Sequence, residues 1–177
     1  INCVRIGMLE AFATDVEIPL KYGVDQCVGD TLCIGGIMYG QRGINAMLDF
    51  CKDIREVAAP GCILLNYSNP NAMITWACNK YGGVKTYGLC HGVQHGHEQI
   101  AKALGRDKKD VDIICAGLNH QTWYISVKTD GKERTGELYE LMKQSDFAKD
   151  ENIRLDVMKN FGFYSTESNG HLSEYLM

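Results

Sequence analysis

The sequence lacks several common features, and each absence excludes a class of protein. It has no long run of lysine and arginine, and its formal net charge of −4 argues against a nucleic-acid partner. No CxxC pair occurs among its eight cysteines, so a structural zinc site has little support. Neither a signal peptide nor an apolar run long enough to span a bilayer is visible, which predicts a reducing, cytoplasmic setting without a membrane partner.

What the sequence does contain is typical of a globular protein. With 177 residues and 45% hydrophobic side chains, it can bury the core of one domain, or of one domain and part of a second. Most cysteines lie in apolar segments such as "GCILLNY" and "VDIICAG", which favours buried free thiols over disulfides. The chain starts without a methionine and ends soon after a glycine-containing turn, so we interpret both ends as cuts through a larger protein.

Short apolar segments alternate with helical patterns over the first two thirds of the chain. An apolar periodicity from Ile44 to Ile54 stops at Pro60 and predicts a helix. Beyond it, strands are predicted at 62–67, 84–89 and 111–117, and helices at 72–81 and 94–104. This alternation predicts an α/β fold, with a Rossmann-like doubly wound parallel sheet whose first strands are missing.

The pattern changes after Gly117. The stretch "TWYISVKTDGKER" alternates like a hairpin with a turn at "TDGK", and "GELYELMKQSDF" returns to a helical pattern. We therefore predict a boundary near residue 118. Residues 1–118 would be the C-terminal part of the Rossmann-like domain, and residues 119–177 would begin a second, α+β domain.

Three loops follow the carboxyl ends of the predicted strands, where open α/β sheets bind their ligands. They read "SNPN", "CHGVQHG" and "LNHQ", and the second one sets a thiol beside an imidazole. We expect Asn69, Cys90, His91 and His120 to converge on one pocket, whereas His97 lies inside the helix that follows.

Spacing alone leaves three chemical interpretations of this convergence open. A nucleophilic thiol would need a base within hydrogen-bond distance, but the side chains of sequence neighbours such as Cys90 and His91 diverge. A metal site would use a deprotonated cysteine and a neutral histidine, with an open position for the substrate. The third interpretation is a buried cysteine beside surface histidines.

The motifs "LLNYSNPNAMITWA", "GLCHGVQ" and "AGLNHQTW" together resemble glycoside hydrolase family 4, the NAD-dependent glycosidases. "IPLKYGV" and "GGIMYGQRGI" near the start also fit, so the resemblance covers nearly the whole chain. "GLCH" followed by "SNGHLSEY" is most similar to the members that act on unphosphorylated α-galactosides, α-glucosides or α-galacturonides. The resemblance implies that residues 1–118 belong to an NAD-binding domain and residues 119–177 to the substrate and catalytic domain.

The resemblance also implies a ligand set and two substrate contacts. Cys90 and His120 would ligate a divalent metal, usually manganese, although ligand softness alone would favour zinc for a thiolate. Asn69 would contact the substrate near the nicotinamide of NAD, and Asn119 would contact the substrate beside the metal. An alternative role for Asn69 is that of a turn-former before Pro70.

The mechanism of the family gives further residues a role. In that mechanism, NAD⁺ oxidises the 3-hydroxyl of the sugar, a base removes the proton on carbon 2, a metal stabilises the enediolate, and the aglycone leaves with help from a general acid. Water then adds and the hydride returns from NADH to carbon 3, so the reaction is a hydrolysis without net oxidation. The resemblance places His91 as that acid and the base in the segment 161–175. Glu167 and Tyr164 are the candidates that we predict for the base, because Ser168 would be a poor one.

The substrate is predicted from one position that differs from the family pattern and from two arginine side chains. Phosphosugar members of the family carry an arginine where Phe12 stands here, and an aromatic ring cannot pair with a phosphate dianion. An unphosphorylated sugar is therefore expected. Arg5 and Arg42 remain as cations that could meet a carboxylate, so the sequence predicts an α-galacturonide.

A dinucleotide-binding turn of the form GxGxxG is absent. "GDTLCIGG" has the wrong spacing and no preceding strand, so the glycine turn and its strand are expected upstream of Ile1. A lactate- or malate-type NAD-dependent 2-hydroxy-acid dehydrogenase is the alternative enzyme, and a non-catalytic sugar- or metal-binding fragment is the alternative outside enzymes. A homo-oligomer is expected in either enzymatic case.

Overall fold

The structure is a computed structural model that describes residues 1–176, and its chain divides into two units, residues 1–89 and 90–177. The first unit contains helices α1 to α3 and strands β1 and β2: α1 Met8–Leu20, α2 Cys33–Val57, β1 Leu64–Asn66, α3 Asn71–Ala77 and β2 Thr86–Gly88. The second unit contains the remaining elements: α4 Gly92–Ala103, β3 Val111–Leu118, β4 Gln121–Thr129, β5 Lys132–Glu133, α5 Leu138–Lys143, α6 Asn152–Phe161, β6 Tyr164–Ser165 and α7 Asn169–Ser173. The boundary near residue 118 stays a prediction.

The first unit is built on parallel strands. β1 pairs with β2 in parallel register, with Leu64 opposite Thr86, and Asn2 adds a parallel bridge on the other side of β1 at Asn66. Buried side chains of α2, β1, α3 and the segment between α3 and β2 form its core: Met47, Cys51, Leu64, Ile74, Cys78 and Val84. The predicted order of strand, helix and strand is therefore confirmed for residues 62–89.

Helix α2 begins eleven residues before the periodicity that predicted it. It starts at Cys33 rather than Ile44, and its first turn contains Gly35 and Gly36. A Cβ on either glycine would overlap the backbone of residues 29–31, so these glycines allow the preceding loop to pack closely on the helix. The Gly35 amide also donates to Gln26 Oε1 at 2.7 Å. The sequence pattern underestimated the length of this helix because glycine lowers intrinsic helix propensity. In the structure, tertiary packing compensates for that loss.

The second unit is built on an antiparallel sheet. β3 and β4 pair from Val111 opposite Thr129 to Leu118 opposite Gln121, and β4 also pairs with β5 and β6. The prediction that segment 111–117 continues the parallel sheet was therefore wrong. Only two residues, Asn119 and His120, separate β3 from β4, and a link that short joins antiparallel neighbours. An apolar strand pattern does not specify the partner of the strand.

The predicted "TDGK" turn is confirmed. Thr129 and Lys132 are paired residues of β4 and β5, and the two residues between them have left-handed backbones, with φ of 50° at Asp130 and 73° at Gly131. Positive φ at both central positions is the geometry that aspartate and glycine favour in two-residue hairpin loops.

Helix α4 packs on the sheet of the second unit at a glycine. Tyr124 on β4 is fully buried and its hydroxyl donates to the Val93 carbonyl in the first turn of α4. Gly96 lies one turn further, where a Cβ would overlap the phenol ring and hydroxyl of Tyr124. The close contact of α4 with β4 therefore depends on the missing side chain at Gly96.

Replacing Gly96 with alanine is expected to destabilise the protein. Overpacking of a close contact costs about 1–3 kcal/mol, which exceeds the gain of up to about 1 kcal/mol that alanine brings to a helix. Urea unfolding of the intact protein measures the difference. Gly136→Ala is the control, because a Cβ at Gly136 meets no atom within 4 Å. Equal stability of Gly96→Ala and the wild type would show that α4 moves away from β4 without cost.

A buried ionic network joins α4, α6 and β6. Arg154 is fully buried, and its guanidinium donates to Glu151 Oε1 at 2.8 Å, Gln99 Oε1 at 2.9 Å and the Ser165 carbonyl at 2.7 Å. Its guanidinium also lies 4.1 Å from the centroid of the Tyr164 ring. Because the network holds both residues of β6, it fixes the start of the segment that leads to Glu167.

All eight cysteines are free thiols, as predicted, but their burial differs from the expectation. Cys51 and Cys78 are buried and Cys90 and Cys115 are half-buried, whereas Cys3, Cys27, Cys33 and Cys62 are exposed. The apolar surroundings of Cys62 in "GCILLNY" were misleading, because the strand there is only three residues long and begins at Leu64. Within residues 1–176, no helix is both long and apolar enough to cross a membrane.

Candidate functional site

Three side chains that are distant in sequence meet in the second unit: Cys90, His120 and Glu167. Their sulfur, nitrogen and oxygen atoms all lie within 4.8 Å of one another. The Cys90 thiol donates to Glu167 Oε1 at 3.3 Å, and His120 Nε2 lies 4.0 Å from Glu167 Oε2. The structure therefore brings together the two residues predicted as metal ligands and one of the two predicted bases.

The position of His120 follows from the β3–β4 turn. His120 has a left-handed backbone, with φ of 62°, and its side chain is only 5% exposed. The ring of His171 on α7 packs against it, with a distance of 3.8 Å between ring centroids and an angle of 32° between the planes. A residue at the tip of a hairpin is usually exposed, so this burial indicates that the turn is folded into the site.

Cys90 lies directly before helix α4. The Gly92 amide donates to its sulfur at 3.5 Å, and the positive end of the helix dipole lies close to it. Burial is nevertheless the larger effect, and it raises the pKa of the Cys90 thiol to about 11. The thiol is therefore protonated at neutral pH in the absence of a cation, and a metal that binds the sulfur must displace that proton.

Glu167 is the second residue after strand β6, and the end of this strand positions it at the site. Its side chain is 5% exposed, and the backbone amide donates to Ser165 Oγ at 3.2 Å. Its Oε1 occupies the space in which a Cβ on Gly92 would lie, so any Cβ there would overlap the carboxylate. A glycine at the first position of α4 is therefore what allows this carboxylate to approach the thiol.

Asn119 lies beside the predicted ligands, as expected. Its side chain hydrogen-bonds Cys90, and Tyr175 donates to its backbone carbonyl at 2.9 Å. Asn119 Oδ1 is buried and has no hydrogen-bond partner among residues 1–176. Buried acceptors are rarely left without a donor, so this atom indicates a place where a hydroxyl or a cation would bind.

Asn69 belongs to the first unit, at the end of β1. Its Nδ2 donates to Asp30 Oδ2 at 2.9 Å, and Pro70 after it precedes helix α3. The half-buried amide is thus held by a carboxylate at the carboxyl end of a parallel strand, the position where such sheets bind ligands. Its roles toward substrate and nicotinamide stay predictions.

The remaining predicted catalytic residues differ in accessibility. His91 is exposed and directly precedes α4. Tyr164 is fully buried in the core and donates its hydroxyl hydrogen to Gln99 Oε1 at 3.0 Å. Burial raises the pKa of Tyr164 well above its usual value, which opposes its use as a proton acceptor. Both roles stay predictions.

The two cations predicted to meet a carboxylate both lie against the ring of Tyr39 in the first unit. The Arg42 guanidinium forms a two-pronged ion pair with the buried carboxylate of Asp15, including a 2.9 Å hydrogen bond to Oδ1. The Arg5 guanidinium lies 4.5 Å from the ring centroid of Phe12 and 4.9 Å from that of Tyr39. The charge of Arg42 is therefore already neutralised within the chain.

His171 is a residue of this site that sequence reasoning missed. It packs on His120, and its Nδ1 is buried without a hydrogen-bond partner among the described residues. The motif "SNGHLSEY" contains this histidine, but the side chains predicted as the base are the carboxylate of Glu167 and the phenol of Tyr164. The histidine in this motif was the sequence signal that could have identified His171 as a residue of the site.

The donor set suits a divalent cation. A thiolate, an imidazole and a carboxylate are all metal ligands in proteins, and the three donor atoms lie within 4.8 Å of one another. Among the described residues, the buried Oδ1 of Asn119 beside them has no hydrogen-bond partner. The residues present therefore fit the metal that the resemblance implies.

Comparisons with known proteins support the family resemblance found in the sequence. A model of family 4 glycosyl hydrolases matches residues 1–106, and a model of the C-terminal domain of these enzymes matches residues 115–176. An alpha-galactosidase of Rhizobium meliloti (strain 1021) is 62% identical over 99% of this chain and 36% of its own length. An alpha-galactosidase of Bacillus subtilis (strain 168) is 38% identical over 99% of this chain and 41% of its own length. The chain thus spans well under half of both relatives.

A solved structure is similar over nearly the whole chain. The 6-phospho-beta glucosidase from Thermotoga maritima, in the form with manganese, NAD+ and glucose-6-phosphate, superposes with a TM-score of 0.79 at 26% identity. The superposition covers 98% of this chain and 41% of that enzyme. Together with the parallel and antiparallel sheets, this similarity confirms the predicted Rossmann-like α/β class followed by a second, α+β unit.

Proposed function

We propose a function from one established premise: the chain belongs to family 4 of the glycosyl hydrolases. The intact protein, in this proposal, hydrolyses an unphosphorylated α-galactoside with NAD and a divalent metal, manganese, as cofactors. The observation that carries the proposal is the convergence of Cys90 Sγ, His120 Nε2 and a buried carboxylate around one point. The alternative of a lactate- or malate-type dehydrogenase gains no support from either family match.

An α-galactoside is proposed rather than the α-galacturonide that the sequence predicts. Both relatives described above are named alpha-galactosidases, and one is 62% identical to this chain. The uronic acid was suggested by Arg5 and Arg42, but Arg42 already neutralises Asp15. Phe12 still argues against a phosphorylated sugar, because its ring is covered by Arg5 and offers no hydrogen-bond donor.

The side chains of the second unit supply binding and proton transfer in the proposed reaction. When bound, the cation stabilises negative charge on the sugar oxygens, and NAD supplies reversible oxidation at carbon 3. Cys90 and His120 hold the cation, and Asn119 Oδ1 accepts a hydrogen bond from a sugar hydroxyl. His91 donates a proton to the oxygen of the leaving aglycone. The base that acts on carbon 2 stays a prediction, with Glu167 and Tyr164 as its candidates.

Cofactor removal and a substrate panel test the proposal. Nitrophenyl α-galactoside, α-galacturonide, α-glucoside and 6-phospho-α-galactoside are supplied to the intact protein with Mn²⁺, NAD⁺ and a thiol reductant. We expect the α-galactoside to give the largest kcat/KM, and omission of Mn²⁺ or NAD⁺ to reduce the rate by at least about a hundredfold, since each supplies several kcal/mol of stabilisation.

Each other result of the panel has a defined meaning. Fastest turnover of the α-galacturonide would restore the substrate predicted from the sequence. Hydrolysis that persists after chelation and removal of NAD would contradict the proposed mechanism altogether. Exchange of the carbon 2 hydrogen with deuterated water is expected during turnover, and its absence would indicate direct displacement instead of elimination. The oligomeric state and the cytoplasmic setting stay predictions.

A further inference from the structure

We propose that Glu167 is a third protein ligand of the divalent cation, beside Cys90 and His120. This inference rests on the proposed function, because it concerns the metal of that site. It differs from the sequence prediction, in which Glu167 acts as the base. The carboxylate would then bind the metal directly, and its oxygens would not be free to remove a proton from the sugar.

The first argument is the direction of the two carboxylate oxygens. Oε1 lies 3.3 Å from the Cys90 sulfur, and Oε2 lies 4.0 Å from His120 Nε2. Sulfur and oxygen ligands that share one metal lie roughly 3.1–3.6 Å apart, given metal–ligand bonds of about 2.3 and 2.1 Å and ordinary coordination angles. The observed sulfur–oxygen distance falls in this interval. The nitrogen–oxygen distance is somewhat longer and would shorten on binding.

The second argument is the burial of the carboxylate. Glu167 is only 5% exposed, and within residues 1–176 no lysine or arginine forms an ion pair with it. The nearest titratable groups to its carboxylate are the Cys90 thiol and the His120 imidazole. A thiol and a neutral imidazole only weakly offset the cost of burying a negative charge. A divalent cation between these groups would supply the missing positive charge.

The third argument is the glycine that makes room for it. Any residue larger than glycine at position 92 would displace the Glu167 carboxylate from the thiol. Gly92 also opens helix α4, whose twelve residues place partial positive charge at this end. The missing side chain at the start of the helix therefore allows the Glu167 carboxylate to contact the Cys90 sulfur, rather than to point toward a substrate.

A carboxylate ligand also has a consequence for metal choice. A site of one thiolate and one imidazole favours soft or borderline cations such as zinc, whereas carboxylate oxygen suits manganese. Glu167 would therefore raise the affinity for Mn²⁺ more than the affinity for Zn²⁺. The bias toward manganese would come from residue 167 rather than from the two ligands that the family resemblance implies.

Metal binding without turnover tests the inference. The Kd of Mn²⁺ and of Zn²⁺ is measured for the intact protein by calorimetry and by the electron paramagnetic resonance signal of free Mn²⁺, without substrate or NAD. Glu167→Gln keeps the shape of the side chain and an acceptor for the Cys90 thiol. We expect it to raise the Kd for Mn²⁺ at least about tenfold, with a smaller change for Zn²⁺. Glu137→Gln, an exposed glutamate paired with Arg134, is the control and leaves both constants unchanged.

A second variant distinguishes loss of a metal ligand from a folding defect in Glu167→Gln. Gly92→Ala keeps the carboxylate but forces it away from the sulfur, and it is expected to weaken Mn²⁺ binding in the same direction, with Gly136→Ala as its control. An unchanged Mn²⁺ affinity in Glu167→Gln, with or without loss of hydrolysis, would overturn the inference, and loss of hydrolysis alone would return Glu167 to the role of base. Failure of the α-galactoside assay leaves these binding constants valid, so the two proposals fail separately.

Discussion

Replacing Cys90 with serine is expected to lower kcat/KM on the preferred glycoside by at least about a thousandfold. A serine hydroxyl does not ionise in this pH range, so the variant loses the anionic ligand and most of the charge stabilisation that the cation supplies. A thousandfold loss corresponds to about 4 kcal/mol of transition-state stabilisation, which lies within the range of Lewis-acid catalysis. Initial rates with saturating Mn²⁺ and NAD⁺ measure the change.

The control for this experiment is another cysteine. Cys62→Ser alters an exposed thiol in the first unit, and it is expected to leave kcat/KM within about twofold of the wild type. The Cys90 variant should also stop exchanging the carbon 2 hydrogen with solvent, because the acidity of that hydrogen depends on the cation. Near-normal hydrolysis in Cys90→Ser would remove the basis for a metal site at this position.

Replacing Arg154 with methionine is expected to destabilise the protein by about 3–5 kcal/mol. The guanidinium is fully buried, so its removal leaves the carboxylate of Glu151 buried without a cation, and Gln99 Oε1 and the Ser165 carbonyl lose a donor. The loss is therefore larger than for an ordinary hydrogen bond. Urea unfolding followed by tryptophan fluorescence measures the free energy of unfolding.

Two further variants separate charge from packing. Arg106→Met breaks an exposed pair with Asp130 and is expected to cost no more than about 1 kcal/mol. Adding Glu151→Leu to Arg154→Met removes the orphaned carboxylate and should recover part of the lost stability. If the double variant is less stable than Arg154→Met alone, the network contributes through its hydrogen bonds to β6 rather than through charge compensation.

Elements with local sequence signals were predictable in both units. The apolar runs at 62–67 and 84–89 predicted β1 and β2 of the first unit, and the "TDGK" turn of the second unit followed from the backbone preferences of aspartate and glycine. The partner of the third strand was not predictable in this way. Segment 111–117 has the apolar character of a buried parallel strand, yet a link of only two residues follows it and joins it to β4 as an antiparallel partner.

The site was predictable only in part. The layout of the predicted strands placed Cys90 and His120 near one pocket but left three chemical interpretations open, and the family resemblance selected the metal site. Glu167 is 77 residues from Cys90, and no periodicity in the sequence relates two positions so far apart. Their contact depends on β6, on the buried Arg154 and on the glycine at position 92, which are packing relations that appear only in three dimensions. The stacking of His171 on His120 was missed for the same reason.

The three converging donor atoms all come from residues 90–176, whereas Asn69, Phe12 and both arginines discussed for the substrate belong to residues 1–89. Under the proposed function, substitutions at these positions of the earlier segment would alter sugar preference and leave the cation ligands of the later segment unchanged. Such a division would let a lineage of enzymes exchange one glycoside for another without rebuilding its inorganic chemistry.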